Sequence, residues 1–307
     1  MERFDIAIIG GGPAGFTAAV YACRAGYSAI VFEKASHGGQ MGITSEIENY
    51  PGFARVDGFD LAMKMMNQAK GLGAVIKTEE VTSVDIGGRE KFVTTTRNQY
   101  EAGAVIIAGG AKPRLLGVPG EEQYKGRGVS YCATCDGMFF RGKTVIVNGG
   151  GDTAFEDAVY LSNVCEKVYL VHRRNSFRAS AASVKRAQAK ENIEFVYSSV
   201  IEEITGDGMR VTGAKLKNVE SGEITEIGCA GVFVAVGRVP DTEIYAGKLD
   251  LDGSGYIVAD ETCRTNIPGV FAAGDVRTKH LRQIVTACAD GATAVKFAEE
   301  WLTEITE

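Results

Sequence analysis

The sequence predicts an α/β protein with two Rossmann-like (βαβ) dinucleotide-binding domains, one inserted into the other. Two observations support this prediction. A strand–glycine turn–helix–strand pattern occupies the N-terminal segment up to Glu33, and the same pattern starts again at Thr144. Each unit can begin its own parallel sheet, so the chain is expected to contain two nucleotide sites rather than one.

The first unit begins with an apolar run at residues 4–9, followed by the turn GGGPAG at residues 10–15 and a helical pattern at 16–25. A second apolar run, residues 29–32, ends at Glu33. In the GxGxxG fingerprint the glycines permit a tight turn, backbone approach to a pyrophosphate and close helix packing. An acid at the position of Glu33 accepts hydrogen bonds from a ribose 2′-hydroxyl. The alternative is a glycine-rich turn without a ligand.

The second unit has an apolar run at residues 144–147, the turn GGGDTA at 149–154 and a strand at 168–171. Here the strand is followed by His172, Arg173 and Arg174, with Arg178 close behind. Guanidinium groups bind phosphate oxygens bidentately, so this unit favours the 2′-phosphate of NADPH. A solvated basic turn is the alternative. Two different dinucleotides in one chain indicate a flavin and its hydride donor.

Further buried-type strands are predicted at residues 104–108, 231–236 and 269–273, and a last amphipathic helix at about 283–301. We interpret the second unit as an insertion. The first domain would comprise residues 1–113 and 242–307, and the inserted domain residues 114–241. The composition around Pro113 and Pro240 is that of linkers.

Cys132 and Cys135 form the one close cysteine pair of the sequence, and Asp136 follows directly. In a CxxC pair one thiol has a lowered pKa and attacks disulfides as a thiolate. An adjacent acid can supply a proton to the departing thiolate. Structural zinc is an alternative, but it needs four ligands, and the other cysteines and the three histidines lack ligand spacing. Two structural thiols, with Asp136 as a turn former, also remain open.

The formal net charge of −6 gives no general attraction to nucleic acid or to an anionic membrane. No apolar run approaches the length of a membrane span, and the N-terminus shows no signal-peptide pattern. We therefore expect a cytoplasmic protein, in which the seven cysteines are mostly free thiols. No metal site is expected.

Several segments occur together in the order of one known family: ENYPG at residues 48–52, CATCDG at 132–137, GGGDTA at 149–154, HRR at 172–174, GDV at 274–276 and RQ at 282–283. The chain resembles the low-molecular-weight thioredoxin reductases of bacteria and archaea over nearly its whole length. The resemblance implies an NADPH-dependent thioredoxin-disulfide reductase that contains FAD and works as a homodimer, with its CxxC pair in the inserted NADPH-binding domain. In that family no C-terminal redox tail is needed.

The resemblance also implies residue roles. Cys135 would be the thiol near the flavin, Cys132 the thiol that attacks the partner disulfide, and Asp136 the acid–base group. NADPH would be bound by Gly151, Asp152, Thr153, His172, Arg173, Arg174 and Arg178. FAD would be bound by Gly10, Gly12, Pro13, Ala14, Gly15, Glu33, Gly39, Gln40, Asn49, Gly274, Asp275, Arg282 and Gln283.

Two alternatives remain open at this point. A related flavin-dependent reductase could serve a glutaredoxin-like or peroxiredoxin-linked partner, and a flavin-binding redox sensor would show no turnover. The ferredoxin-dependent relatives lack the NADPH signature, whereas this chain has it. A panel of disulfide proteins distinguishes the first alternative, and the absence of NADPH consumption would indicate the second.

Overall fold

The structure is a computed structural model that describes residues 1–34, 37–44 and 46–305. The chain divides into two compact units. Unit 1 combines Met1–Lys112 with Val239–Glu307, and unit 2 is Pro113–Arg238. No helix in the described ranges combines the length and apolarity that crossing a membrane requires.

The structure alternates strands and helices in two stretches, residues 2–77 and 129–196, and strands follow one another directly in most of the remaining chain. The helices are α1 (Pro13–Arg24), α2 (Gly58–Gly71), α3 (Ala133–Asp136), α4 (Asp152–Ser162), α5 (Ala181–Gln188) and α6 (Ile284–Glu304), and short 3₁₀ helices are Met41–Ile43, Gly137–Phe140, Glu243–Tyr245 and Gly274–Val276. The strands are β1 (Glu2–Ile9), β2 (Ala29–Phe32), β3 (Val75–Lys77), β4 (Val81–Asp85), β5 (Lys91–Thr95), β6 (Gln99–Ile107), β7 (Ala111–Pro113), β8 (Val129–Ser130), β9 (Thr144–Asn148), β10 (Lys167–Val171), β11 (Ile193–Val196), β12 (Ser199–Gly206), β13 (Val211–Asn218), β14 (Ile224–Gly228), β15 (Gly231–Val234), β16 (Arg238–Pro240) and β17 (Val270–Ala272).

Unit 1 is organised around a seven-stranded sheet in the order β3-β2-β1-β6-β5-β4, with β17 also paired to β6. The pairs of β1 with β2 and with β6 are parallel. Apolar residues on both faces of β1, such as Ile6, Ala7 and Ile8, are fully buried, as expected for a parallel strand covered on both sides. Helices α1 and α6 pack closely because Gly291 has no side chain: an added Cβ would lie 2.2 Å from the Ala14 carbonyl oxygen. Their N-termini are thereby held near the carboxyl ends of the central strands.

Unit 2 is organised around a parallel sheet in the order β11-β10-β9-β15-β8. Helix α4 covers it, and Phe155, Ala158 and Leu161 of that helix are fully buried. A second, antiparallel sheet has the order β12-β13-β14. Strands β7 and β16 form a two-stranded sheet. The fold class predicted from the sequence, α/β with two Rossmann-like βαβ units, is confirmed.

Candidate cofactor sites and redox centre

The first glycine-rich turn connects β1 to α1 in unit 1. Gly10 has φ +116°, and an added Cβ there would lie 2.3 Å from the Ala108 carbonyl oxygen. An added Cβ on Gly15 would lie 1.9 Å from the Gly10 carbonyl oxygen. Both contacts are shorter than any real Cβ contact, so these two positions require glycine for packing alone.

The position of Gly12 differs, because it is not packed against the described part of the chain. It is the N-cap of α1, and among the described residues an added Cβ would meet only the Gly38 carbonyl oxygen, at 4.0 Å. Opposite it lies Gly39, whose added Cβ would be 3.9 Å from the Gly12 Cα. A helix N-terminus presents unsatisfied N–H groups and a positive dipole end. The cradle between Gly12 and Gly39 therefore fits a diphosphate group approaching backbone N–H groups.

Glu33 follows β2 and lies against the same turn. Its Oε2 atom accepts a hydrogen bond from the Gly11 backbone N–H at 2.9 Å. The Gly38 N–H in turn donates to the Gly11 carbonyl at 2.7 Å, which fixes the segment containing Gly39 and Gln40 next to the glycine turn. The segment containing Glu33 and Gly39 is thus brought against the glycine turn.

A second group of predicted residues gathers at the start of α6. Gln283 is the N-cap of α6 and forms a capping box with Thr286. Its Oε1 accepts a hydrogen bond from the Asn49 side chain at 3.1 Å. The Arg282 Nε donates to the Asp275 carbonyl at 3.5 Å. An added Cβ on Gly274 would lie 3.0 Å from the Ala14 Cβ, so this group adjoins the first turn of α1, where Pro13 is the first residue.

Asp290 of α6 anchors this region and was missed by the sequence analysis. Its Oδ2 accepts hydrogen bonds from the Gly274 backbone N–H (2.8 Å), Arg277 Nε (2.9 Å) and Lys279 Nζ (2.7 Å), and its Oδ1 accepts one from Arg277 Nη2 (2.9 Å). All three side chains are buried. Burial raises the pKa of Asp290, but the bonds from Arg277 and Lys279 outweigh it and hold the pKa below its usual range. The carboxylate thus fixes the turn that carries Asp275.

Replacing Asp290 by alanine is expected to lower the free energy of unfolding by about 3–5 kcal/mol at pH 7, because Arg277 and Lys279 would remain buried without their partner. The folded-state pKa of Asp290 is depressed, so its stabilisation is present at neutral pH and disappears as the pH falls through that value. The difference in free energy of unfolding between wild-type protein and Asp290→Ala should therefore become smaller in acid. Urea unfolding followed from pH 7 to well below 3.8, the ordinary pKa of an aspartate, measures it.

The matched control is Glu300→Ala, which removes another α6 carboxylate paired with an arginine, Arg264, at 2.9 Å. That pair is partly exposed, so its loss should cost less than about 1 kcal/mol. Equal unfolding midpoints for the two variants would contradict an anchoring role of Asp290.

The second glycine-rich turn connects β9 to α4 in unit 2. An added Cβ on Gly149 would lie 2.4 Å from the Ala235 carbonyl oxygen, whereas an added Cβ on Gly151 would meet no atom of residues 1–34, 37–44 and 46–305 within 4 Å. Gly151 is the N-cap of α4 and makes no side-chain cap hydrogen bond. Thr153 is exposed in the first turn. As in unit 1, an open glycine stands at a helix N-terminus and suits a phosphate ligand.

Asp152, the first residue of α4, contacts the start of α5. Its Oδ1 accepts hydrogen bonds from the Ser180 backbone N–H (3.0 Å) and the Ser183 hydroxyl (2.8 Å). These bonds, the Ser180 backbone N–H first, lower its pKa. The carboxylate therefore links the two helices that border the second turn.

His172 begins the basic segment after β10, but it lies inside unit 2 with 7% of its surface exposed. Its ring packs on Phe177 with centroids 5.3 Å apart, and its Nε2 lies 3.1 Å from the Ser176 carbonyl oxygen. Burial, followed in part by the neighbouring arginines, lowers its pKa and keeps the ring neutral at pH 7. The buried imidazole therefore contacts the basic segment at Ser176 and Phe177 and helps to fix its conformation.

Arg173, Arg174 and Arg178 are exposed. The Arg178 backbone N–H donates to the Gly150 carbonyl at 2.9 Å, which ties the basic segment to the second glycine turn. Within the described part of the chain, none of the three guanidinium groups forms an ion pair. Three cations next to an open helix N-terminus favour a ligand with several phosphate charges.

The redox centre is a disulfide between Cys132 and Cys135, whose Cα atoms are 5.3 Å apart. Cys132 is the extended N-cap of the short helix α3, and Cys135 and Asp136 belong to that helix. Burial raises the pKa of Asp136, and a hydrogen bond from the Ser130 hydroxyl partly opposes this effect. A half-buried carboxyl group with a raised pKa adjoins the disulfide, as an acid–base group requires.

The other five cysteines are free thiols. Burial raises the pKa of Cys165 to about 11 and that of Cys229 and Cys263 to about 12, so these thiols stay protonated at neutral pH. Among the described residues, no group of three or more His, Cys, Asp or Glu side chains is arranged to hold a metal ion.

Comparison with known proteins gives a consistent result. The family described as pyridine nucleotide-disulphide oxidoreductase matches residues 4–291. The thioredoxin reductase of Listeria monocytogenes serovar 1/2a is 48% identical over 99% of this chain and 95% of that protein. The thioredoxin reductase of Peptoclostridium acidaminophilum is 46% identical over 97% of both.

The solved thioredoxin reductase of Streptococcus pyogenes superposes with a TM-score of 0.92 at 45% identity, covering 98% of this chain and 99% of that one. The chain therefore belongs to the pyridine nucleotide-disulphide oxidoreductase family and, within it, to the low-molecular-weight thioredoxin reductases.

Proposed function

We propose that the chain takes electrons from NADPH, passes them through FAD to the Cys132–Cys135 disulfide, and delivers them to the disulfide of thioredoxin. The observation that carries this proposal is the composition of unit 2. It contains both a disulfide next to a half-buried acid and an open, basic nucleotide turn. The names of the similar proteins support thioredoxin as the partner.

In unit 1, the cradle between Gly12 and Gly39 fits the diphosphate of FAD, and Glu33 fits a ribose with a free 2′-hydroxyl. The start of α6, with Gln283 as its N-cap, would contact the remaining part of the cofactor. When bound, the flavin supplies the transfer of an electron pair between a hydride donor and a disulfide. Residues 1–113 and 242–307 would form this FAD-binding domain.

In unit 2, the N-terminus of α4 at Gly151 fits the NADPH diphosphate. Arg173, Arg174 and Arg178 would bind the 2′-phosphate, and His172 would support them. Residues 114–241 would form this NADPH-binding domain.

The chemistry of the reduced centre follows from its residues. The Cys132 thiolate would attack one sulfur of the thioredoxin disulfide and form a mixed disulfide. The Cys135 thiolate would then attack the Cys132 sulfur, which restores the intramolecular disulfide and releases thioredoxin with both sulfurs reduced. Asp136 would donate the proton that the departing thiolate needs. We further propose a homodimer in the cytoplasm, where a reducing environment keeps the five other cysteines as thiols.

The test is NADPH oxidation by the purified holoenzyme with three disulfide substrates: a thioredoxin, a glutaredoxin and a peroxiredoxin. We expect turnover with thioredoxin, and a visible flavin spectrum that bleaches when NADPH is added. Faster turnover with either of the other two proteins would assign the enzyme to that partner. If NADPH is consumed with none of the three disulfide proteins, the proposal is wrong.

A further inference from the structure

Ser130 lies at the end of β8, two residues before Cys132, and only 4% of its surface is exposed. Its Oγ lies 2.6 Å from Asp136 Oδ2, 3.1 Å from the Cys132 backbone nitrogen and 3.3 Å from the Cys132 carbonyl oxygen. One hydroxyl thus contacts the acid–base candidate and both backbone polar groups of the first redox cysteine.

The hydrogen-bonding capacity of a hydroxyl determines how these contacts are shared. A serine hydroxyl has one proton to donate and two lone pairs to accept with. The Cys132 N–H donates to one lone pair. The distance of 2.6 Å to Asp136 is that of a hydroxyl donating to a carboxylate, so ionised Asp136 accepts a hydrogen bond from the Ser130 hydroxyl. When Asp136 is protonated, its own O–H can donate to the second lone pair, and Ser130 can donate to the Cys132 carbonyl.

We propose that Ser130 is a positioning residue. Its hydroxyl holds the Asp136 carboxyl group beside the redox centre in both protonation states of that group, and links the group to the backbone of Cys132. This inference rests on the proposed function. In the second thiol–disulfide step, the Cys132–partner S–S bond breaks and the Cys132–Cys135 bond forms. In this step the Cys135 sulfur is oxidised and the departing partner sulfur is reduced, and the departing partner thiolate takes its proton from Asp136. Ser130 then donates to the carboxylate that remains.

The surroundings of Asp136 support Ser130 as its main polar partner. The titratable side chains of α4, which packs against α3, are Asp152, Glu156, Asp157 and Tyr160, and none of them contributes to the pKa shift of Asp136. The neighbouring Tyr131 hydroxyl donates instead to Glu121 at 3.0 Å. Burial and the Ser130 hydrogen bond are the two causes that act on the carboxyl group.

The test is the pH dependence of kcat/KM for thioredoxin in Ser130→Ala holoenzyme. The Ser130 hydroxyl favours the ionised form of Asp136. Without it, the alkaline limb of the pH profile, on which kcat/KM falls as the pH rises, should move upward by about one to two pH units. The maximal rate should also fall, because the carboxyl group is less well held. Asp136→Asn should abolish the limb, which assigns it to this residue.

Two further variants keep the test independent of folding. Ser130→Thr retains the hydroxyl and should keep the wild-type limb, whereas Ser130→Val has the shape of threonine without the hydroxyl and should shift it like alanine. The control is Ser199→Ala, another buried serine of unit 2, whose hydroxyl donates to the Tyr197 carbonyl at 2.8 Å. The alkaline limb of the kcat/KM profile of Ser199→Ala should stay at its wild-type pH.

The outcomes separate the inference from the proposed function. If wild-type protein does not reduce thioredoxin, the proposed function is wrong. If wild-type protein does, and Asp136→Asn abolishes the limb while Ser130→Ala and Ser130→Val leave it in place, the function stands and the positioning role of Ser130 is wrong. Equal shifts in Ser130→Thr and Ser130→Val would also overturn it.

Discussion

Cys135→Ser holoenzyme is expected to reduce thioredoxin with NADPH about a thousandfold more slowly than wild-type protein, or slower still, as enzymes do that lose a nucleophile. The reason is that serine forms neither the disulfide with Cys132 nor the thiolate that resolves the mixed disulfide. NADPH should still bleach the flavin absorbance of this variant, because the nucleotide sites use other residues. Stopped-flow absorbance and the steady-state assay measure the two reactions separately.

The control for this experiment is Cys23→Ser. Cys23 is a free, half-buried thiol of α1, and burial raises its pKa. This substitution should leave thioredoxin reduction within about twofold of wild type, as expected for a site outside the chemistry. Wild-type turnover in Cys135→Ser would exclude the Cys132–Cys135 pair from electron transfer.

The second large effect concerns coenzyme choice. Replacing Arg173 and Arg174 together by alanine should lower kcat/KM for NADPH by about a hundredfold or more, since two charge-assisted hydrogen bonds are worth about 3 kcal/mol or more. NADH has no 2′-phosphate, so its kcat/KM should change by less than about threefold. Steady-state kinetics with both coenzymes measure the ratio.

The control for this pair is the double variant Arg210→Ala, Lys217→Ala. It removes two cations of unit 2 that instead pair with Asp207 at 3.8 Å and Glu202 at 3.4 Å. If the loss were a general effect of net charge, this control would show it as well. An unchanged NADPH/NADH ratio in the Arg173, Arg174 variant would remove both residues from the coenzyme site.

The sequence predicted the βαβ units closely because their signals are local. The strand predicted at residues 29–32 agrees with β2. The helix predicted at residues 16–25 begins earlier, at Pro13, because proline is favoured in the first turn of a helix. The last helix, predicted to begin near residue 283, begins at Ile284, since Gln283 serves as its N-cap.

Elements that depend on distant partners were predicted less well. The strand predicted at residues 104–108 is part of the longer β6 (Gln99–Ile107), whose polar beginning pairs with β5 on one side and with β1 on the other. The antiparallel sheet β12-β13-β14 was not predicted, because its strands mix charged and apolar residues without a regular alternation. Pairing, not local pattern, makes these segments strands.

The same distinction applies to the sites. Glycine turns, the basic segment and the CxxC pair carry motifs that can be read from sequence. Asp290 and Ser130 belong to no such motif. Asp290 is the one acid in the apolar first half of α6, and only folding brings Gly274 and Arg277 to it. Ser130 is an ordinary serine until its hydroxyl is seen next to Asp136. A buried acid on the apolar face of α6 was the one available signal, because such an acid needs a partner.

The most direct test of the account is to count thiols in the folded holoenzyme before and after anaerobic addition of NADPH. Differential alkylation followed by peptide mass spectrometry identifies each modified cysteine. The account predicts that Cys132 and Cys135 become alkylated only after NADPH is added, while the other five cysteines react to the same extent in both samples. Bleaching of the flavin without new thiols at these two positions would contradict it.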